Sequence, residues 1–212
     1  MTASATPIAA FDSRARSVFI NCPFDKKYKR LFNAIVFTIV FCRFDVRSAL
    51  EEDDSANVRL HKILNLLKAS RFSVHDISRV ELDPGSGLPR FNMPLELGAA
   101  IGLRHCGEPE LADHKILILD SQAYRYQKFV SDLAGVDIKG HGDTVLGVIR
   151  CVHAFLNSTS YDHIPSPSTI HKAHRLFEKT LPELARQQRQ TKAELTYHDR
   201  MRHLQAFLDS FR

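Results

Sequence analysis

The sequence predicts a three-layer α/β sandwich, in which helices cover both faces of a mostly parallel five-stranded sheet and a helical appendage follows. Short β-branched runs alternate with stretches of helical periodicity over most of the chain, and this alternation is typical of parallel sheets. The run Lys115–Asp120 (KILILD) is almost continuously apolar, as expected of a central strand that is buried on both faces. A chain of 212 residues is long enough for one such domain and an appendage.

The predicted strands are short and rich in apolar residues. The first ends at Asn21, because Pro23 cannot donate to a strand ladder and restricts the backbone of Cys22. Polar or glycine-containing turns bound the others. The five predicted strands are Ser17–Asn21, Phe44–Ala49, Phe72–Ile77, Lys115–Asp120 and Val136–Ile138.

The segments between these strands are predicted to be helical. Asp25 is a good N-cap for the first helix, since its side chain can accept hydrogen bonds from free amides of the first turn. Proline and glycine make Arg79–Phe91 a loop, which we interpret as a lid or specificity loop. The predicted helices are Asp25–Cys42, Val58–Ala69, Met93–His105, Gln122–Leu133 and Asp143–Leu156.

Three regions are predicted along the chain. Residues 1–16 form a flexible N-terminus, residues 17–157 the α/β domain, and residues 158–212 a linker with one or two C-terminal helices. The linker, Asn157–Ser168, is rich in serine and proline, and the helical region is Thr169–Arg212. Its apolar residues favour docking on the domain, with oligomerisation and nucleic-acid binding as alternatives. We expect a homo-oligomer. We expect no nucleic-acid partner, because acidic residues are interleaved with the basic ones.

Composition favours a cytoplasmic protein without a membrane partner. The formal net charge is +5, and the hydrophobic and charged fractions, 44% and 25%, are ordinary for a globular domain. Four scattered cysteines without a CxxC pair suit reduced thiols. The first residues lack a signal-peptide pattern, and the apolar stretch Ala34–Cys42 is shorter than the roughly 20 residues that cross a membrane.

Several common cofactor motifs are absent from the sequence. There is no GxxxxGK[ST] loop, and the turn after the first strand reads NCPFDKK (Asn21–Lys27) in place of GxGxxG. HExxH is also absent, and the closest histidine pair is His171-x-x-His174. We therefore expect neither P-loop nor dinucleotide-fold phosphate binding, and no metal.

The segment Phe91–Gly98 (FNMPLELG) carries the main candidate residue. With Asn92 as the cap and Pro94 in the first turn, Glu96 falls at about the third or fourth helical position. A glutamate there can simply favour the helix dipole. Alternatively, Glu96 and Asp76 form a pair of catalytic carboxylates, because an oxocarbenium-like sugar is stabilised by nearby negative charge.

The candidate substrate-binding residues lie at predicted strand ends and beside Glu96. Ligands of parallel sheets bind outside the carboxyl ends of the strands. Arginines there suit bidentate phosphate binding, and the acids of Glu51–Asp54 are either a solvated turn or partners for ribose hydroxyls. These candidates are Asn21, Pro23, Phe24, Asp25, Arg47, Glu51, Arg79, Asn92 and Met93.

Three segments resemble a known group of enzymes. VFINCPFD (Val18–Asp25), HDIS (His75–Ser78) and PLELGAAIGL (Pro94–Leu103) are similar to the nucleoside 2-deoxyribosyltransferase-like group and to the related TIR-like domains of bacterial immunity. The resemblance spans about residues 17–155 and implies a flavodoxin-like fold. Arg90–Met93 replaces the Asp-Gly-Thr of the transferases, and the chain has no tryptophan, which TIR-like domains carry near their glutamate.

The resemblance also implies a function. Members of this group use a glutamate on the matching helix to cleave an N-glycosidic bond, and the matching residues here are Glu96 and, at the strand end, Asp76. TIR-like enzymes cleave NAD between nicotinamide and ribose, often as oligomers and in antiphage defence. We expect an N-glycosyl hydrolase, or a transferase similar to the 2-deoxyribosyltransferases, that acts on NAD or a related nucleotide or nucleoside and needs no cofactor. A non-catalytic TIR-like adaptor that senses nucleotides or oligomerises is the alternative.

Overall fold

The computed structural model contains one parallel sheet with the strand order β2-β1-β3-β4-β5. The structure describes residues 14–51, 54, 56–82, 85, 87–160 and 162–211. This order is that of flavodoxin-like doubly wound sheets, and each strand pair in the described residues is parallel. The strands are β1 (Ser17–Asn21), β2 (Asp45–Ser48), β3 (Phe72–Asp76), β4 (Lys115–Asp120) and β5 (Lys139–Gly140).

Helices cover both faces of the sheet, which confirms the predicted three-layer fold. The helices are α1 (Lys29–Phe41), α2 (Arg59–Lys68), α3 (Asn92–Cys106), α4 (Val145–Asn157), α5 (Pro167–Gln187) and α6 (Tyr197–Phe211). Helices α1, α4 and α5 pack together, whereas α2 packs on α3. None of the described helices combines the length and the hydropathy that a membrane span requires.

The core is divided by the alternation of side chains along the strands. Val18 and Ile20 of β1 belong to the large apolar cluster under α1, α4 and α5, whereas Phe19 packs with residues of α2 and α3. The appendage joins the large cluster, since Phe177 of α5 and Leu204 of α6 are buried in it. The C-terminal helices therefore dock on the α/β domain.

The first helix begins later than the sequence predicts. Oδ1 of Asp25 accepts hydrogen bonds from the backbone N–H groups of Lys27, at 2.9 Å, and Tyr28, at 3.0 Å. These bonds close a turn ahead of α1, which starts at Lys29. Asp25 therefore caps a turn and not the helix itself.

Two predicted elements around β4 and β5 are wrong. The segment Gln122–Leu133 is not one helix but contains two short 3₁₀ helices, Arg125–Lys128 and Ser131–Leu133. Tyr124 adopts a left-handed backbone with φ of 63°, which interrupts α-helical geometry before Arg125. The last strand lies at Lys139–Gly140 instead of residues 136–138.

Helix α3 also starts one residue early. Asn92, predicted as the cap, is the first helical residue, and Phe91 holds the cap position without a side-chain capping hydrogen bond. Glu96 is therefore the fifth helical residue, beyond the predicted third or fourth. Glu96 therefore lies beyond the first four residues of the helix, whose backbone N–H groups have no partner within the helix.

Candidate active site

The candidate site lies where the strand order reverses, between β1 and β3. Strand β1 pairs with β2 on one side and β3 on the other, and doubly wound sheets bind ligands at such a switch point. Asn21 ends β1, and its Nδ2 donates to the carbonyl oxygen of Met93 at 3.1 Å. This hydrogen bond fixes the first turn of α3 beside the end of β1. Asp76 ends the neighbouring strand β3.

Glu96 is buried without a partner. Its residue is 5% exposed, and its carboxylate makes no hydrogen bond or ion pair with any of the described residues. Burial raises the pKa of Glu96 to about 7, while the nearby Arg59 guanidinium opposes the rise. Stabilisation of the helix terminus does not account for such a residue, because its carboxylate contacts no free amide of the helix.

Asp76 is fully buried and held by several donors. Its Oδ2 accepts a hydrogen bond of 2.5 Å from the Tyr28 hydroxyl, and its Oδ1 accepts one of 2.8 Å from the N–H of Ser78. Nε2 of His141 lies 3.0 Å from Oδ2, although the ring is not aligned for a hydrogen bond. The Asp143 N–H donates to Nδ1 of His141, which places the proton of a neutral ring on Nε2, facing Asp76.

The acids of the site converge on Cys22. Burial raises the pKa of this thiol, and the carboxylates of Asp76, Glu96 and Asp25 raise it further, in that order. The strand-end acid, the helix acid and the turn acid are therefore grouped around one buried side chain. A thiol in such a setting stays protonated, so Cys22 is not a nucleophile.

A chain of buried polar groups extends from Asn21 along the α2/α3 face of the sheet. Nδ2 of Asn21 lies 3.0 Å from Nδ1 of His75, and Nε2 of His75 lies 3.0 Å from Oγ of Ser73. Oγ of Ser73 lies 2.8 Å from Nε2 of His114, whose Nδ1 lies 2.9 Å from the carbonyl oxygen of Ser70.

The direction of every hydrogen bond in this chain follows from its last member. A carbonyl oxygen only accepts, so His114 carries its proton on Nδ1 and accepts the Ser73 hydroxyl proton at Nε2. Ser73 then accepts from Nε2 of His75, whose Nδ1 accepts from Asn21. Burial lowers the pKa of His75 to about 3, and the neighbouring His114 lowers it too, so the ring is neutral as this pattern requires.

This series of hydrogen bonds fixes the orientation of the Asn21 side-chain amide. Both Nδ2 protons are used, one by His75 and one by the Met93 carbonyl oxygen. Oδ1 of Asn21 is buried and has no hydrogen-bond partner among the described residues. The site therefore presents one oriented acceptor beside its carboxylates, which suits a ligand group that donates, such as a sugar hydroxyl.

A basic cavity opens beside the acids. It has a volume of about 500 Å³, within the usual range for ligand pockets, and its lining includes Asp25, Lys26, Lys27, Arg79 and Arg90. Glu81 also lines the cavity, and Arg79 forms ion pairs with Glu81, at 3.7 Å, and with Asp143, at 3.4 Å. Cations still outnumber carboxylates in this lining, which suits a phosphate. Asp25, which lines this cavity, is also one of the three acids whose charges raise the pKa of Cys22.

A partly exposed aromatic ring lies beside Arg59. The Phe24 side chain is 37% exposed and packs edge-on against Phe32, with ring centroids 5.5 Å apart. The Arg59 guanidinium lies 5.8 Å from the centre of the Phe24 ring, within the range of a cation–π contact. The same guanidinium acts on the charge of Glu96, and a partly exposed ring of this kind can contact the flat face of a nucleobase.

The structure does not group the remaining predicted residues with Glu96 and Asp76. Arg47 and Glu51 form an ion pair of 2.9 Å at the end of β2, and Glu51 also accepts from the Ser48 N–H at 2.5 Å. Arg47 lines a separate cavity of about 330 Å³. Asn92 is exposed, whereas Pro23 is buried. Glu52 and Asp53, which belong to the predicted acidic turn, lie outside the described residues.

Four residues of the site were not predicted from the sequence: Cys22, Tyr28, Arg59 and His141. Their side chains meet the acids only because α1, α2 and the segment before α4 converge on the same strand ends. Within the part of the chain that the structure describes, no cluster of histidine, cysteine and acidic residues suits a metal ion.

No family model, curated protein or solved structure matches this chain.

Proposed function

We propose that the protein is an N-glycosidase that cleaves the base–ribose bond of NAD or a related nucleotide, with Glu96 as the catalytic carboxylate. The observation that carries the proposal is a buried, unpartnered carboxyl group at the switch point of a parallel sheet. Catalytic acids are commonly found in such surroundings, because burial tunes their pKa towards neutrality.

The chemistry requires Glu96 in its ionised form. Departure of the base leaves positive charge on the ribose, which a carboxylate in a water-poor site stabilises or captures. A pKa of about 7 keeps a large share of Glu96 ionised at neutral pH. A pyridinium base, which is cationic before cleavage, favours the ionised carboxylate further on binding.

The other residues have distinct roles in this proposal. Oδ1 of Asn21 accepts a hydrogen bond from a ribose hydroxyl, and Asp76 holds Tyr28 and the Ser78 backbone in place around the sugar. Lys27 and Arg79 bind phosphate in the basic cavity, and Phe24 contacts the base. Asp76 is a positioning residue, because both of its oxygens already accept hydrogen bonds within the protein.

The test is incubation of the protein with NAD, NADP and a panel of nucleosides, followed by chromatography for a released base. We expect base release by the wild type and a loss of at least about 10²–10⁴-fold in Glu96→Gln. Glu108→Gln, which removes an exposed glutamate, is the matched control and retains activity. The assay is run at several protein concentrations, because assembly is a common requirement in the enzymes that the sequence resembles. Full activity of Glu96→Gln would refute the proposal.

A non-catalytic nucleotide sensor is the second candidate. It is favoured by the complete enclosure of Asp76, which leaves Glu96 as the one acid of that pair without a partner among the described residues. Calorimetry with NAD separates the two candidates. Reversible binding with intact NAD recovered at every protein concentration supports the sensor, whereas release of nicotinamide supports the enzyme.

A further inference from the structure

A second, larger cavity lies between the start of α1 and the C-terminal appendage. Its volume is about 660 Å³, and it shares Lys26 with the basic cavity of the candidate active site. The remaining lining comes from α1, α4, α5, α6 and the segment that joins the last two helices. Five cations and one carboxylate line it: Lys26, Lys29, Arg30, Lys192, Arg200 and Glu178.

The single carboxylate does not neutralise this charge. Glu178 already accepts hydrogen bonds from Lys192, at 2.9 Å, and from Arg200. Arg30 donates to a neutral group, the backbone carbonyl oxygen of Asp143, at 2.5 Å. Lys29 makes no ion pair within the described part of the chain. The cavity therefore carries a marked excess of positive charge, which favours an anionic ligand.

His174 adds an unpartnered polar group to the cavity wall. This histidine is 5% exposed, and neither of its ring nitrogens has a hydrogen-bond partner in the part of the chain that the structure describes. Nε2 lies 3.7 Å from Oε1 of Glu178, beyond hydrogen-bonding distance, and the ring packs edge-on against Phe37. A buried imidazole without a partner is unfavourable for stability, so a ligand that accepts its N–H would satisfy it.

We infer that this cavity is a binding site for the phosphoryl groups of a small molecule, in which the His174 N–H donates to a phosphate oxygen while the cations around it neutralise the charge. A diphosphate matches the excess of cations better than a single carboxylate does. Because the lining comes from both α1 and the appendage, the bound ligand joins the two. The site is distinct from Glu96, and it does not depend on glycosidic chemistry.

The experiment is isothermal calorimetry with pyrophosphate at constant ionic strength, together with backbone NMR to locate the bound anion. We expect pyrophosphate in this cavity to shift the amide signals around Lys29, His174 and Lys192, which separates it from any pyrophosphate bound at Lys27 and Arg79. The double variant Lys29→Gln/Lys192→Gln should bind at least about tenfold more weakly. Lys27→Gln removes an exposed lysine of the neighbouring cavity and leaves this binding unchanged.

Two further variants make the outcome decisive. His174→Phe keeps an aromatic ring against Phe37 but removes the N–H, so we expect weaker pyrophosphate binding with a similar unfolding midpoint. Glu96→Gln binds pyrophosphate like the wild type, so the failure of the glycosidase proposal leaves this result intact. The inference is overturned if pyrophosphate does not bind, if the double variant binds it as tightly as the wild type, or if signals shift only around Arg79.

Discussion

Replacing Glu96 with glutamine should stabilise the protein at alkaline pH. The pKa of Glu96 is about 7 in the folded chain, against an ordinary value of 4.5. Between these two values the unfolded chain has already lost the proton that the folded chain retains. The free energy of unfolding therefore falls as the pH rises through this window. At 1.36 kcal/mol per pKa unit, the loss reaches about 3 kcal/mol above pH 7.

Glutamine has nearly the same shape as glutamate but no charge, so it removes this loss. Urea unfolding of the wild type and of Glu96→Gln, repeated from pH 4.5 to 8.5, measures the difference. We expect similar stability near pH 4.5 and a gain of about 1–3 kcal/mol for the variant above pH 7. Glu108→Gln is the control for the removal of one acid from an exposed position.

The buried histidines affect all variants alike. The pKa of His75 is about 3 and that of His174 about 4, both lowered by burial. Their contribution to stability is complete above the ordinary histidine pKa and is lost as the pH falls towards the lowered values. This acid-side loss cancels when Glu96→Gln is compared with the wild type. A difference that stays constant with pH, or a variant that is less stable at pH 8, would refute the reasoning.

Three other substitutions and one spectrum test the rest of the structure. Nitrogen-15 NMR should show His75 neutral at pH 5 with its proton on Nε2, because Nδ1 accepts from an amide. Ser73→Ala should cost about 1–3 kcal/mol, since it leaves Nε2 of His75 and Nε2 of His114 buried without their hydrogen-bond partner. Tyr28→Phe should cost about 1.5–3 kcal/mol by removing the hydrogen bond to Asp76. Phe177→Ala should cost about 3–5 kcal/mol if the appendage shares the core.

Each substitution has a matched control at an exposed position, and urea unfolding is the common measurement. The controls are Ser210→Ala, Tyr124→Phe and Leu176→Ala. We expect Ser210→Ala and Tyr124→Phe to change stability by no more than about 0.5 kcal/mol. Leu176 is 45% exposed, so we expect Leu176→Ala to cost less than Phe177→Ala. A test variant that behaves like its control would contradict the contact it removes. A His75 signal that titrates near pH 6.5 would contradict the proton assignments of the buried chain.

Strand positions followed from local signals in the sequence. The bounds of β1 and β4 are those predicted, because Pro23 terminates one and a continuous apolar run defines the other. The helix predicted for Gln122–Leu133 was wrong because of a tertiary contact. Arg125 reaches back to the buried carboxylate of Asp120 at 2.6 Å, and such a contact overrides a weak helical pattern.

The candidate site was predictable in part. Parallel strands end at one edge of the sheet, so Asn21 and Asp76 were expected to be neighbours, and the structure also brings Glu96 and Asp25 to them. The partners of these residues could not be deduced, because hydrogen bonds such as Asn21–His75 join residues far apart in sequence. Periodicity indicates which face a residue occupies, but it does not indicate which polar groups meet on that face.

The most direct test of the central claim is the pH dependence of nicotinamide release from NAD. If the ionised Glu96 stabilises the ribosyl cation, kcat/KM of the wild type should rise with pH through about 7 and then level off. Glu96→Gln should show neither the activity nor the rise. Turnover that is undiminished at pH 5, or that persists in the variant, would contradict a catalytic role for this carboxylate.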